Sequence, residues 1–307
     1  MSVKTIILDW AGTTVDFGCM APVHAFKKAF RNKNIELSNE EIRKPMGMLK
    51  IEHIKQLLSL EQVKKQWFEL YGRLSEEKDV LSIYQDFEKY LFADLAENSH
   101  LKPETKQAMK KIKQLGYNIG STTGYTKEMM AVVLNTATME GYRPDYVVTP
   151  DEVDSLGRPY PFMIFENMRH FQNHSMEEVI KVGDTIADIQ EGKNAGVLSI
   201  AVTEGSSVMG LSLEEYKQLS KEEMERLNQQ TAEIFYQHGA DLCIKNLLEL
   251  AELLQEHSTI PKLQTKKRES AEAKRNIGFK SRYFFIYSKN KKKKQKKIFS
   301  VLLFLII

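Results

Sequence analysis

The chain has 307 residues, 42% hydrophobic and 28% charged, the profile of an ordinary soluble protein with core enough for one large domain or two smaller ones. Its two cysteines, Cys19 and Cys243, exclude a disulfide framework or a cysteine metal cluster, so a reducing cytoplasm is expected. The net charge of +3 hides a split: residues 262–307 hold 15 basic and two acidic side chains, leaving 29 basic and 39 acidic in an acidic body.

The first element is an apolar run over residues 3–8, interrupted by Lys4 and Thr5, which reads as a buried parallel strand. Met-Ser-Val-Lys leads directly into it, so no signal peptide is expected. The run ends on Asp9 and breaks into Ala11-Gly12-Thr13-Thr14. A carboxylate at the tip of the first strand of an α/β sheet lies where ligands bind. Gly12 lets backbone approach a ligand, and the hydroxyls can donate to anionic oxygens. By itself the stretch also fits an Asp that caps a turn.

Roughly 80 residues of helical periodicity follow, with no strand. Helices are predicted over 21–30, after Ser38 (a capping box with Glu41), and over 49–60, 62–74 and 80–95. An all-helical insert directly after the first strand predicts a small cap, residues 19–100, lying over the strand tips.

From Pro103 helices and strands alternate. Helices are predicted over 104–115, 127–140, 161–171, 186–195, 222–238 and 247–257, and strands over 117–122, 145–149, 179–182, 198–202 and 242–245. The alternation predicts an α/β fold, a doubly wound parallel sheet formed by residues 1–18 and 101–261. Residues 262–307 form a basic tail with an apolar end, too short to span a bilayer and expected to be disordered, with weak attraction to anionic lipid as the functional alternative.

Four groups stand at successive strand tips: Asp9, Thr123 before Gly124, Arg158 in Gly-Arg-Pro-Tyr-Pro, and Gly183-Asp184 with Asp188 one turn on. Strand tips converge on one crevice, so these groups should meet. Asp9 and Asp184 can hold a magnesium ion, with Asp188 steadying a ligand water. Arg158 and Thr123 can neutralise phosphoryl oxygens, and a carboxylate beside the metal is a fit nucleophile toward phosphorus. Singly, each group also reads as a turn, a loop hydroxyl or a surface side chain.

With these motifs the chain resembles the haloacid dehalogenase superfamily, whose signatures are matched by Asp9-Trp10-Ala11-Gly12-Thr13, Thr123, Arg158 and Gly183-Asp184 with Asp188. Phosphatases of that superfamily usually carry a second Asp two residues after the nucleophile, as acid for an oxygen leaving group. Here the position is Ala11. Within the insert, Lys50 opens a helix, with His53 three residues on. A lysine there is ordinarily solvated. With its pKa lowered by burial or by the positive helix start, it forms a Schiff base with a carbonyl. A protonated imine is an electron sink through which a carbon–phosphorus bond can break, with no alkoxide to protonate.

That combination resembles the phosphonoacetaldehyde hydrolase family over about residues 5–239. The resemblance implies hydrolysis of phosphonoacetaldehyde, with Asp9 as nucleophile and Lys50 as Schiff-base residue. It also implies magnesium on Asp9, the Ala11 carbonyl and Asp184, phosphoryl contacts from Gly12, Thr123 and Arg158, and Met46, His53 and Tyr125 near the reacting carbon. Members are homodimers joined through their caps. The rival readings are a phosphate-ester hydrolase or phosphomutase, against which Ala11 argues, and a binding protein using the basic tail on nucleic acid or membrane, against which the acidic body argues.

Overall fold

A computed structural model describes residues 3–256. The tail from residue 262, and His257 at the predicted end of the last helix, lie outside the described residues. Six parallel strands form one sheet: β1 (Thr5–Leu8), β2 (Asn118–Thr122), β3 (Tyr146–Val148), β4 (Val179–Gly183), β5 (Leu198–Val202) and β6 (Leu242–Ile244), in the order β3-β2-β1-β4-β5-β6. The order reverses around β1, which pairs with β2 on one side and β4 on the other. This is the switch point of an open α/β sheet. All four β1 residues are buried, as a strand covered on both faces requires.

Five helices follow β1: α1 (Met20–Arg31), α2 (Asn39–Arg43), α3 (Lys50–Leu58), α4 (Glu61–Tyr71) and α5 (Glu77–Asp94). Their order and type are those expected, with ends shifted by one to three residues. The predicted Ser38–Glu41 capping box is formed. Phe26 of α1 stacks on Phe87 of α5, ring centroids 4.2 Å apart, and packs on His53 of α3 at 4.0 Å. Apolar faces at helical spacing thus build a core inside the insert.

The remaining helices are α6 (Thr105–Gln114), α7 (Lys127–Glu140), α8 (Phe162–His170), α9 (Ile186–Ala195), α10 (Leu213–Lys217), α11 (Lys221–Gln237) and α12 (Leu247–Glu256). Ile7 and Val179 of the sheet pack with Ile164 and Met168 of α8. Ala201 packs with Ile189 of α9 and Phe235 of α11. Helix α10 was not expected from the sequence. It is five residues long, opened by a Ser212–Glu215 capping box inside a polar loop. Among the described residues no helix is long and apolar enough to cross a membrane.

Candidate active site

Asp9 follows the last residue of β1, and its N–H donates to the Val182 carbonyl of β4 at 3.0 Å. Register pairs Leu8 with Ser121 and with Val182, so Asp9, Thr123 and Asp184 leave neighbouring strands at one level. Trp10 anchors the turn after Asp9. It is fully buried, donates from Nε1 to Ser121 Oγ at 3.0 Å, and packs on Tyr142. Gly12 has φ +87°, and a Cβ there would lie 2.1 Å from Asp184 Oδ2. Only glycine lets this turn pass so close to the carboxylate.

Asp184 is fully buried, accepting from Thr13 Oγ1 and the Ser207 N–H, each at 2.8 Å. Burial raises its pKa well above the carboxylate range, and Asp9 and Asp188 add to the shift against those two donors. Oxygens of Asp9, Asp184 and Asp188 all lie within 4.8 Å of one another. Hard oxygen donors, buried and mutually repelling, fit a small divalent cation. Asp188 has the opposite balance. Burial would raise it, but Arg158 and Lys181 hold it below the usual range. Lys181 Nζ stands 2.7 Å and Arg158 Nη2 3.0 Å from its Oδ1, and Thr185 Oγ1 donates to Oδ2 at 2.5 Å. Of the three carboxylates, Asp188 is the one already neutralised by two cations.

Arg158 is a buried hub. Nη2 donates to Asp9 Oδ1 at 2.6 Å and to the Thr122 carbonyl at 2.8 Å, and Nε to Glu191 Oε2 at 3.0 Å. Nη1 is buried without a partner. Burial opposes its charge, but Asp188, Asp9 and Glu191 more than compensate and raise the pKa. An unpaired guanidinium nitrogen on a residue lining a cavity is a ready donor to a phosphoryl oxygen.

Lys50 opens α3 and is 4% exposed, so it is no solvated helix lysine. Burial lowers its pKa, Arg158 adds to this, and Cys19, Asp9 and Asp184 oppose it. Its ammonium lies 4.9 Å from the Tyr125 ring centroid. A small cavity of about 20 Å³ brings the two parts together. Asp9, Ala11, Thr123, Gly124, Tyr125 and Arg158 line it from the sheet side, and Cys19, Met46, Gly47 and Lys50 from the insert. That volume holds little more than a water. The fit is tight: a Cβ on Gly124 would lie 2.7 Å from the Met48 carbonyl and 2.8 Å from that of Gly47.

His53 does not line this cavity. Nε2 stands 2.8 Å from the Ile42 carbonyl, leaving Nδ1 buried and unpartnered. Burial, and Lys50 beside it, push its pKa well below the ordinary histidine value, so it is neutral. A neutral ring that donates from Nε2 carries its lone pair on Nδ1.

Sequence reasoning missed Lys181, Glu191 and Cys19. Lys181 had a signal, since a lysine in the middle of β4 must find a buried partner. Glu191 had a weaker one, lying one turn after Asp188 on α9. Cys19, 3% exposed, had none.

The description haloacid dehalogenase-like hydrolase matches residues 3–196. The chain is 42% identical over 252 residues to a bifunctional phosphonoacetaldehyde hydrolase/aminoethylphosphonate transaminase of Clostridioides difficile, covering 82% of this chain and 40% of that protein. It is 39% identical over 255 residues to a phosphonoacetaldehyde hydrolase of Bacillus cereus, covering 83% and 96%. A crystal structure of a phosphonoacetaldehyde hydrolase-like protein from Oleispira antarctica superposes with a TM-score of 0.79 at 32% identity, covering 87% and 94%. The chain therefore belongs to the haloacid dehalogenase-like hydrolases and, among them, to the phosphonoacetaldehyde hydrolase family. It is an enzyme, a hydrolase, with a buried carboxylate cluster suited to a metal ion.

Proposed function

We propose that this hydrolase cleaves the carbon–phosphorus bond of phosphonoacetaldehyde, giving acetaldehyde and inorganic phosphate. The names of the relatives support the substrate. The observation that carries the chemistry is the meeting of Lys50, a buried amine biased toward its neutral form, with Asp9 across one cavity. One holds carbon and the other attacks phosphorus.

In this reading the Lys50 amine adds to the aldehyde carbon and, with loss of water, forms an imine. His53, beside Lys50 but outside the cavity, packs behind the amine. Asp9 attacks phosphorus in line, while Arg158 Nη1, Thr123 and the backbone at Gly12 hold the phosphoryl oxygens. The carbon–phosphorus electron pair moves into the protonated imine, leaving an enamine on Lys50 and an aspartyl-phosphate on Asp9. One water hydrolyses the acyl phosphate, and the enamine is protonated on carbon. A second water releases acetaldehyde and restores the amine. Magnesium held by Asp9, the Ala11 carbonyl and Asp184 would supply positive charge to the phosphoryl oxygens. Met46 and Tyr125 shape the wall around the reacting carbon. Ala11 leaves no acid where an alkoxide leaving group would need one, which disfavours phosphate esters. Residues 19–100 act as a cap that opens for the substrate, the active form is a cap-joined homodimer, and the enzyme works in the cytoplasm.

Borohydride reduction with substrate present tests the reading. A stable adduct should form on Lys50, and acetaldehyde and phosphate should appear together in a magnesium-dependent reaction. An adduct on another residue, or none, overturns the imine step. Rapid hydrolysis of a simple phosphomonoester by a Lys50→Arg variant would favour the ester-hydrolase alternative.

A further inference from the structure

One buried ammonium takes no part in the chemistry above. Lys102 lies between α5 and α6 and is 1% exposed. Its Nζ donates to the Gly12 carbonyl at 2.9 Å and to the Glu204 carbonyl at 2.6 Å. Glu104 Oε1 is 3.6 Å away, and the Phe17 ring centroid 5.5 Å. Its backbone N–H donates to the Thr14 carbonyl at 3.0 Å. Burying an ammonium is costly unless its donors are satisfied, and here two main-chain oxygens satisfy it.

Those two oxygens belong to different loops. Gly12 is in the turn that carries Asp9 and the Ala11 carbonyl. Glu204 is in the turn after β5, and three residues on, the Ser207 N–H donates to Asp184 Oδ2. A single ammonium therefore spans the loop bearing two of the proposed metal ligands and the loop that steadies the third.

We propose that Lys102 is a positioning residue of the divalent-metal site, setting the separation of the Gly12 and Glu204 loops. The inference rests on the reading that Asp9, Ala11 and Asp184 hold such a cation. Magnesium-like ions demand near-ideal oxygen geometry, so loops that drift apart bind them less well. The sign of the effect is diagnostic. If Lys102 acted only through its charge, it would repel the cation, and removing it would tighten binding. If it acted only on stability, metal affinity would follow stability in any variant.

The test is a calorimetric Mn²⁺ titration of the full chain without substrate, with thermal unfolding of the metal-free protein alongside. Lys102→Met should bind Mn²⁺ about tenfold more weakly or worse, the range seen when groups supporting metal ligands are lost. Trp67→Leu, in buried α4 packing away from both loops, should lose stability and keep wild-type affinity. Should Lys102→Met fail to fold, Lys102→Gln retains donors at shorter reach and should weaken binding in the same direction. Failure of the wild-type chain to bind Mn²⁺ would overturn the metal reading itself. Wild-type binding with equal or tighter binding in a folded Lys102 variant would overturn the positioning role and leave the metal reading standing.

Discussion

At the scale of single residues, the site depends on three buried charged groups placed in unlike surroundings. Asp9 is held by Arg158, Asp184 is buried beside two other carboxylates that disfavour its ionised form, and Lys50 is desolvated. Desolvation disfavours the ammonium, so a fixed fraction of neutral amine appears at lower pH than for a lysine in water. Borohydride trapping at Lys50 should therefore rise with pH and level off below pH 10.5, the ordinary lysine value. The signal is lost as pH falls below the lowered pKa, because protonation removes the nucleophilic lone pair. A trapping curve still climbing at 10.5 would contradict this placement. Lys50→Arg keeps charge and bulk but cannot form an imine at neutral pH, so turnover should fall by roughly a thousandfold or more. The melting temperature, read by calorimetry, should stay near that of the wild type.

At the scale of elements, the strands supply the positions and the turns supply the clearances. Strands β1, β4 and β5 were legible because each is a largely apolar run ending in a polar turn, and a parallel sheet buries such runs on both faces; β2, Asn-Ile-Gly-Ser-Thr, was legible from the alternation of helices and strands instead. The tips they carry could therefore be placed together before any coordinates. Burial of ions was not legible. Lys181, Glu191 and Lys102 look like ordinary charged residues until β4, α9 and the segment before α6 close over them, because burial depends on distant parts of the chain. His53 shows the same limit in reverse: its spacing from Lys50 was correct, yet Phe26 and the Ile42 carbonyl turn the ring away from the cavity. The clearances yield two predictions. Gly12→Ala forces a Cβ onto Asp184 at a positive φ, so Mn²⁺ affinity measured by titration should drop at least about tenfold, with stability falling by about 1–3 kcal/mol. Gly124→Ala puts a methyl against the Gly47 and Met48 carbonyls, where the insert meets the sheet. The expected result is a roughly tenfold loss of kcat/KM with metal affinity unchanged, since water exclusion and alignment fail while the carboxylates stay in place.

At the scale of the whole molecule, two bodies of chemistry come from two segments of one chain. The sheet provides acids at the switch point around β1, and the insert provides an amine and part of the wall of the cavity. In the proposed reaction neither set is complete without the other, and the close contact of Gly124 with the Gly47 and Met48 carbonyls lies beside the cavity both sets line. The basic tail stands apart from this division. A match of 255 residues covers 96% of the Bacillus cereus relative but 83% of this chain of 307 residues, so most of the length beyond the match exceeds that relative's own. The charge is divided in the same way, with 15 basic and two acidic residues from Lys262 onward against 29 and 39 before it. A chain ending at residue 261 should thus keep the steady-state constants of the full chain within about twofold, because every residue lining the cavity precedes the cut. Its net charge becomes negative, so at pH 7 and low salt it should bind an anion exchanger and lose retention on a cation exchanger or on anionic vesicles. A truncated enzyme that loses activity while remaining folded would show that the tail contributes to catalysis, and the two-part division of the site would need a third member.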